Sequence, residues 1–263
     1  MAFDLGAPAM GLILLGAFAA GFIDAVVGGG GLITTPTLLL VLPEIPIANV
    51  LATTKCASIF GTAGAAASYA RSVSLPWLPI LFPAMAAALP AAWLGARSIS
   101  HLDPALVKPA ILAVLVLMAG YTWWRPQLGV RMSAGIAENL HPWGAALTGA
   151  VIGFYDGFLG PGTGSILVLA FITLFGRDFL QASAAAKFVN GASNLGALLW
   201  FAPAGSILPT IALPMAACNL LGGVLGSRTA VLSGNVWIRR VFLAVVCALI
   251  LRLGWNLWVT EPR

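Results

Sequence analysis

The sequence predicts an all-α polytopic membrane protein built from two homologous halves, and three observations carry that expectation. Of 263 residues, 60% are hydrophobic and only 8% charged, with a mean hydropathy of +0.99, a composition from which no water-soluble surface can be assembled. Apolar runs such as Ala105 to Trp124 and Val241 to Trp258 approach the roughly 20 residues that cross a hydrocarbon core. Rare polar residues also recur in register when one half is slid over the other by 132 positions.

The first apolar stretch, Leu12 to Phe22, has the length of a secretory signal. Asp4 and the lack of Lys or Arg before it give the wrong charge, and the apolar segment continues past Gly21. It reads as the first membrane helix. Gly, Pro and charge then punctuate the first half into segments at about 8–27, 32–43, 48–70, 77–99 and 104–124, and the second at about 143–159, 163–175, 180–202, 207–231 and 235–258. The expected organisation is a first transmembrane repeat over 1–125, a basic connecting loop over 126–142 and a second repeat over 143–263.

The repeat rests on residue types that compositional bias does not place in register. The shift of 132 pairs Gly21 with Gly153, Phe22 with Phe154, Asp24 with Asp156, Gly28 with Gly160, Gly30 with Gly162, Lys55 with Lys187 and Gly64 with Gly196. One position less pairs Gly95 with Gly226, Arg97 with Arg228 and Lys108 with Arg239.

Segments 32–43 and 163–175 are too short for a full crossing, reaching only about 18 to 20 Å at 1.5 Å per residue. The chain therefore has eight full spans plus two short broken or re-entrant helices, or ten segments. Ten crossings make the repeats inverted, and re-entrant ones make them parallel. Loop charge leans toward inversion. With both ends outside, Arg71, Arg125, Arg131, Arg177, Arg228, Arg239 and Arg240 collect inside, against Arg97, Lys108, Arg252 and Arg263. The parallel arrangement sets Arg97, Lys108, Arg177, Arg228, Arg239 and Arg240 on one side against Arg71, Arg125, Arg131, Arg252 and Arg263 on the other.

Within the segments, each half places one acid and one base at matching positions: Asp24 and Lys55, then Asp156 and Lys187. A charge at the bilayer centre costs at least about 2.5 to 3.5 kcal/mol, so such residues face a cavity or a partner. They mark a pathway, or they form Asp–Lys bridges that lock the bundle, and a bridge that opens for a ligand does both. Ser58 and Thr62 follow Lys55, and Asn190 and Asn194 follow Lys187, at i, i+3 and i+7, each on one helix face. Each stripe offers donors below a cation, suited to a compact oxyanion that exchanges water for protein hydrogen bonds; the plainer reading is interhelical hydrogen bonding.

Glycine runs precede both short segments: Gly28, Gly29, Gly30 and Gly31, then Gly160, Pro161, Gly162, Thr163 and Gly164. A helix restarting after such a break aims unpaired N–H groups and the positive end of its dipole at whatever occupies it. Broken helices at matched places in two halves point to a midplane transport site, though a tight turn would use the same residues. Gly222 and Gly226, at GxxxG spacing, are assigned to helix packing.

Several chemistries are not expected. Gly160, Gly162 and Gly164 with Asp178 superficially suggest a dinucleotide fingerprint, but both flanks are membrane-grade apolar and no GK[ST] follows. His101 and His141 stand in loops without a second ligand at metal spacing, so neither a metal, a cofactor nor an enzymatic dyad is expected. Cys56, Cys218 and Cys247 lie in apolar segments without CxxC or CxxH spacing and read as packing residues. The excess of 13 Lys and Arg over 8 Asp and Glu sits mostly in short loops, where it orients a membrane protein rather than binding nucleic acid.

The pattern Gly21-Phe-Ile-Asp24, Gly28-Gly-Gly-Gly31, Pro36 and Ala52-Thr-Thr-Lys55, repeated as Gly153-Phe-Tyr-Asp156, Gly160-Pro-Gly162-Thr-Gly164 and Lys187-Phe-Val-Asn190, resembles the sulfite exporter TauE/SafE family of membrane permeases, also called the toluene sulfonate uptake permease family. The resemblance covers nearly the whole chain. It implies about eight spans, a bacterial inner-membrane location and a cargo such as sulfite or an organosulfonate. The residues alone imply a small anion held by Lys55 and Lys187, by the helix breaks at Gly29, Gly30, Gly31, Gly162, Thr163 and Gly164, and by Ser58, Thr62, Asn190 and Asn194. Asp24 and Asp156 are the groups that would carry a proton if uptake were coupled. The expected partners are that anion and the lipid bilayer. An anion-selective channel, or a permease for another small organic anion, is the alternative.

Overall fold

The computed structural model describes residues 6–42, 44–98, 124, 132 and 134–260, the side chains of 245, 246, 249, 250 and 252–260 apart. Apart from Trp124, the expected segment 104–124 lies outside the described residues, as do His101, Lys108, Arg125 and Arg131. Among the described residues the chain forms eight α-helices and no strand. They are α1 (Ala7–Val27), α2 (Gly31–Val41), α3 (Ile47–Ala70), α4 (Phe82–Ser98, entered through a π-helical turn at Trp77–Leu81), α5 (His141–Phe158, preceded by a 3-10 turn at Glu138–Leu140), α6 (Thr163–Phe175), α7 (Phe179–Phe201) and α8 (Pro209–Thr260, broken at Gly234).

Local chemistry explains the boundaries. Pro8 opens α1 where a missing N–H costs nothing. Asp178 caps α7 by accepting the Gln181 N–H at 2.8 Å. Gly28, at φ 79, ends α1, and Gly162, at φ 86, starts α6, both in backbone conformations that a side chain disfavours. One expectation is corrected here: His141 does not stand in a loop. It opens α5, buried, with Nε2 3.0 Å from the Ile136 carbonyl, so its ring is spent on fixing the turn that leads into the helix.

Among the described residues, three helical stretches are long and apolar enough to cross a bilayer by length and composition: Ala7–Val27, Trp77–Ser98 and Pro209–Ala244. Helices α3 and α7, at 24 and 23 residues, have the length but carry the lysines and polar stripes. An interior helix shields such residues with its neighbours and needs less hydropathy than one facing lipid. Helices α2 and α6, at 11 and 13 residues, reach only about 16 to 20 Å, as the sequence implies.

The packing crosses between the halves. Helix α1 lies along α8, α5 along α4, and α3 meets α7 near the centre. Small residues allow the close approaches. A Cβ on Gly222 or Gly226 would collide with the backbone of Phe18 or Phe22, and one on Gly95 would collide with the backbone of Phe154 and Phe158. Gly226 with Phe22 and Gly95 with Phe154 are the same pair of positions in the register of the two halves.

Helix directions follow from the contacts. Asn49 donates to the Ser206 carbonyl at 2.9 Å, Lys55 to Asn194 Oδ1 at 3.4 Å, and Thr62 lies beside Gly191, so α3 and α7 run antiparallel. Helix α3 meets α8 at Gly61 with Gly223 and at Gly64 with Val224, so that pair runs parallel.

Candidate functional site

Two buried ion pairs join the halves at the centre of the bundle. Lys187 Nζ lies 2.7 Å from Asp24 Oδ2 and donates to it, and donates again to the Asp24 carbonyl at 2.5 Å. Lys55 Nζ lies 2.9 Å from Asp156 Oδ2. The second pair is held differently, because no aligned hydrogen bond reaches that carboxylate oxygen and the ammonium donates only a long bond, 3.4 Å, to Asn194 Oδ1. It is a charge contact without directed bonding, and the three donors of Lys55 are far from saturated.

The less bonded lysine faces a small cavity of about 40 Å³, room for about three water molecules at the ~10–15 Å³ each requires. Its wall brings together most of the expected site: Lys55, Ser58, Asn190, Asn194, Gly29, Gly30, Gly31, Gly162, Thr163 and Gly164, with both carboxylates, Asp24 and Asp156. Lys187 and Thr62 do not line it. They border a second, apolar cavity between α3, α4 and α7, and Lys187 is fully buried. The two lysines match in sequence but not in this arrangement.

The helix breaks form one structure rather than two. Gly28 abuts Gly164 so closely that a Cβ on either would overlap the other's backbone, and Ser165 Oγ donates to the Val27 carbonyl at 3.1 Å. Gly30 N–H turns back to Asp24 Oδ1 at 3.3 Å, tying the first break to the tight ion pair. Tyr155 donates to the Pro161 carbonyl at 2.7 Å and Thr163 Oγ1 to the Gly160 carbonyl at 2.7 Å, which fixes the second break. Both short helices therefore begin at the cavity, and their positive ends add to the field of Lys55.

Sequence reasoning missed Thr35, Leu51, Thr54 and Leu159 on the same wall. Helical spacing could have found two of them, since Leu51 precedes Lys55, and Thr54 precedes Ser58, by four residues. Thr54 spends its hydroxyl on the Leu51 carbonyl at 3.0 Å and supplies shape rather than a donor. Among the described residues no group of three His, Cys, Asp or Glu is placed to hold a metal ion.

Comparison with known proteins shows the family to which the chain belongs. No solved structure matches the chain. A probable membrane transporter protein of Sinorhizobium is 36% identical over 254 residues, 95% of this chain and 94% of the relative. One from Haemophilus influenzae is 34% identical over 236 residues, 90% of this chain and 91% of the relative. The probable membrane transporter protein YfcA of Escherichia coli K12 is 34% identical over 241 residues, 90% of this chain and 86% of the relative. The family profile described as sulfite exporter TauE/SafE matches residues 13–253, nearly all of the chain. This integral membrane protein belongs to the sulfite exporter TauE/SafE family of transporters.

Proposed function

We propose that the chain carries a compact sulfur oxyanion, sulfite or the head of a short organosulfonate, across a bacterial inner membrane by alternating access around the Lys55 cavity. The observation that carries the reading is the cavity itself: an undersaturated ammonium, two helix starts and two Asn side chains surround a space of about 40 Å³. That size suits one central atom with a few oxygens. Charge-assisted hydrogen bonds from Lys55 and the amides replace lost hydration. The anion competes with Asp156 for Lys55, while the Lys187–Asp24 pair keeps the halves in register.

The antiparallel run of the matched helices α3 and α7 supports two inverted repeats, 1–125 and 143–263, rocking about a site at their interface. The shared cavity of Arg71 and Arg228 supports it too, because parallel repeats would hold these residues on opposite sides. An interior about 100 mV negative expels a divalent anion with roughly 4.6 kcal/mol, twice 2.3 per charge. Export therefore needs no coupling ion. Uptake needs one, and Asp156, beside the cavity lysine, is the group to carry a proton.

The test is uptake of labelled sulfite and a short alkanesulfonate into proteoliposomes at an imposed potential, with Lys55→Ala as control. Saturable flux with counterflow, absent from the control, is the expected result. Flux that never saturates would make the protein a channel, and equal flux in the control would remove Lys55 from the site.

A further inference from the structure

We propose that a cavity between the end of α3 and α8 binds a phosphate-type oxyanion group, presented by an anionic phospholipid headgroup or by the free ion. The cavity encloses about 330 Å³ and descends from Arg71, Ser72 and Arg228 past Ser68 to Gly64 and Val224. Among the described residues neither arginine takes part in an ion pair or a side-chain hydrogen bond. Two guanidiniums bordering one space without an acid repel each other, and an anion between them turns that repulsion into paired attraction. The two serine hydroxyls add neutral donors, and the Gly64–Val224 floor offers an apolar wall. That combination suits a headgroup above an acyl chain, and Leu221 and Leu225, on the same stretch of α8, are exposed.

Ordinary structural roles account for part of this and not the rest. Arg71 follows the last turn of α3, where a cation complements the carbonyl end of a helix. Arg228 has no such reason, since it lies inside α8. Its counterpart in the other half, Arg97, is already occupied: its guanidinium lies 5.7 Å from the Trp93 ring and 5.9 Å from the Trp200 ring. Where Arg97 is capped by two indoles, one from each half, Arg228 opens to a second arginine and a cavity.

The test uses the full purified chain in detergent, as wild type, as Arg71→Gln with Arg228→Gln, and as Arg71→Lys with Arg228→Lys to keep the charge without the fork. Native mass spectrometry compares phosphatidylglycerol with phosphatidylcholine, and thermal unfolding is followed as inorganic phosphate is added. A lipid ligand predicts retention of phosphatidylglycerol over phosphatidylcholine in the wild type. That preference should fall at least about tenfold in the Gln variant and partly survive in the Lys variant, with no shift from inorganic phosphate. A free-ion ligand predicts stabilisation by inorganic phosphate that the Gln variant lacks, with no lipid preference. Identical behaviour of wild type and Gln variant in both arms would overturn the proposal. Lys55→Ala leaves this site untouched, so loss of transport and loss of this binding are separable.

Discussion

Lys55 and Asp156 approach to 2.9 Å with no aligned hydrogen bond on the contacted oxygen, whereas Lys187 holds Asp24 through both carboxylate and carbonyl. On the proposed function, an incoming anion displaces the weaker contact first. The two pairs occupy matching positions in the halves, so their unequal bonding assigns different work to residues that the sequence treats alike.

Substituting the two lysines separately should therefore give different phenotypes. Lys55→Ala is expected to fold, because the contact it removes carries no aligned hydrogen bond on Asp156 Oδ2, and to lose anion flux. Lys187→Ala strands a buried carboxylate and should cost about 3–5 kcal/mol of stability, read as a lowered melting temperature and poor expression. If Lys187→Ala were stable and inactive while Lys55→Ala transported normally, the assignment would be reversed.

Replacing the tight pair as a unit should separate its locking role from its charge. Asp24→Asn with Lys187→Met removes both charges at similar volume, and buried pairs replaced together are often neutral or stabilising. The double variant should melt within about 1–2 kcal/mol of the wild type, well above Lys187→Ala alone. A melting temperature as low as that of the single variant would show that the pair contributes by something other than mutual charge compensation.

The contact between the helix breaks is equally open to test. Gly28→Ala places a methyl where the Gly164 backbone lies, and does so at φ 79. No flexible side chain can yield there. A loss of at least about 1–3 kcal/mol is expected from overpacking alone, with more from the backbone conformation. Gly11→Ala, on a helical stretch of α1 where nothing lies within 4 Å, is the control and should melt like the wild type.

Much of this site was legible in one dimension because charge and glycine are rare signals in a membrane sequence. Asp24, Lys55, Asp156 and the two glycine runs stood out, and the fold brings them to one cavity. What could not be read was which acid each lysine would choose. Both bridges cross between the halves, a consequence of tertiary packing that spacing does not encode. Lys187 and Thr62 shared the signature of Lys55 and Asn194, yet they border an apolar space, since equivalent positions in two halves need not face equivalent surroundings in one conformation. His141 was misplaced because a loop histidine and a helix-opening histidine look alike without the Ile136 carbonyl that holds it. Arg71 and Arg228 lie far apart in the chain, and only the parallel run of α3 and α8 brings them together.

The position of Asp156 makes proton coupling testable through its driving force. Protonating this carboxylate releases Lys55 and also neutralises the charge that competes with the incoming anion, so proton and anion favour the same loaded state. With acid outside and neutral buffer inside, uptake into proteoliposomes should exceed that at matched pH and should collapse when a protonophore dissipates the gradient. Asp156→Asn fixes the carboxyl in its uncharged form: it should abolish the response to the gradient while leaving exchange of labelled for unlabelled anion, because exchange needs no net proton movement. Asp24→Asn should fail in the opposite way, weakening the fold through unpaired Lys187 before any transport readout is reached. Uptake that ignores the gradient in the wild type would remove proton coupling through Asp156 and leave the anion driven by the membrane potential and its own concentration gradient.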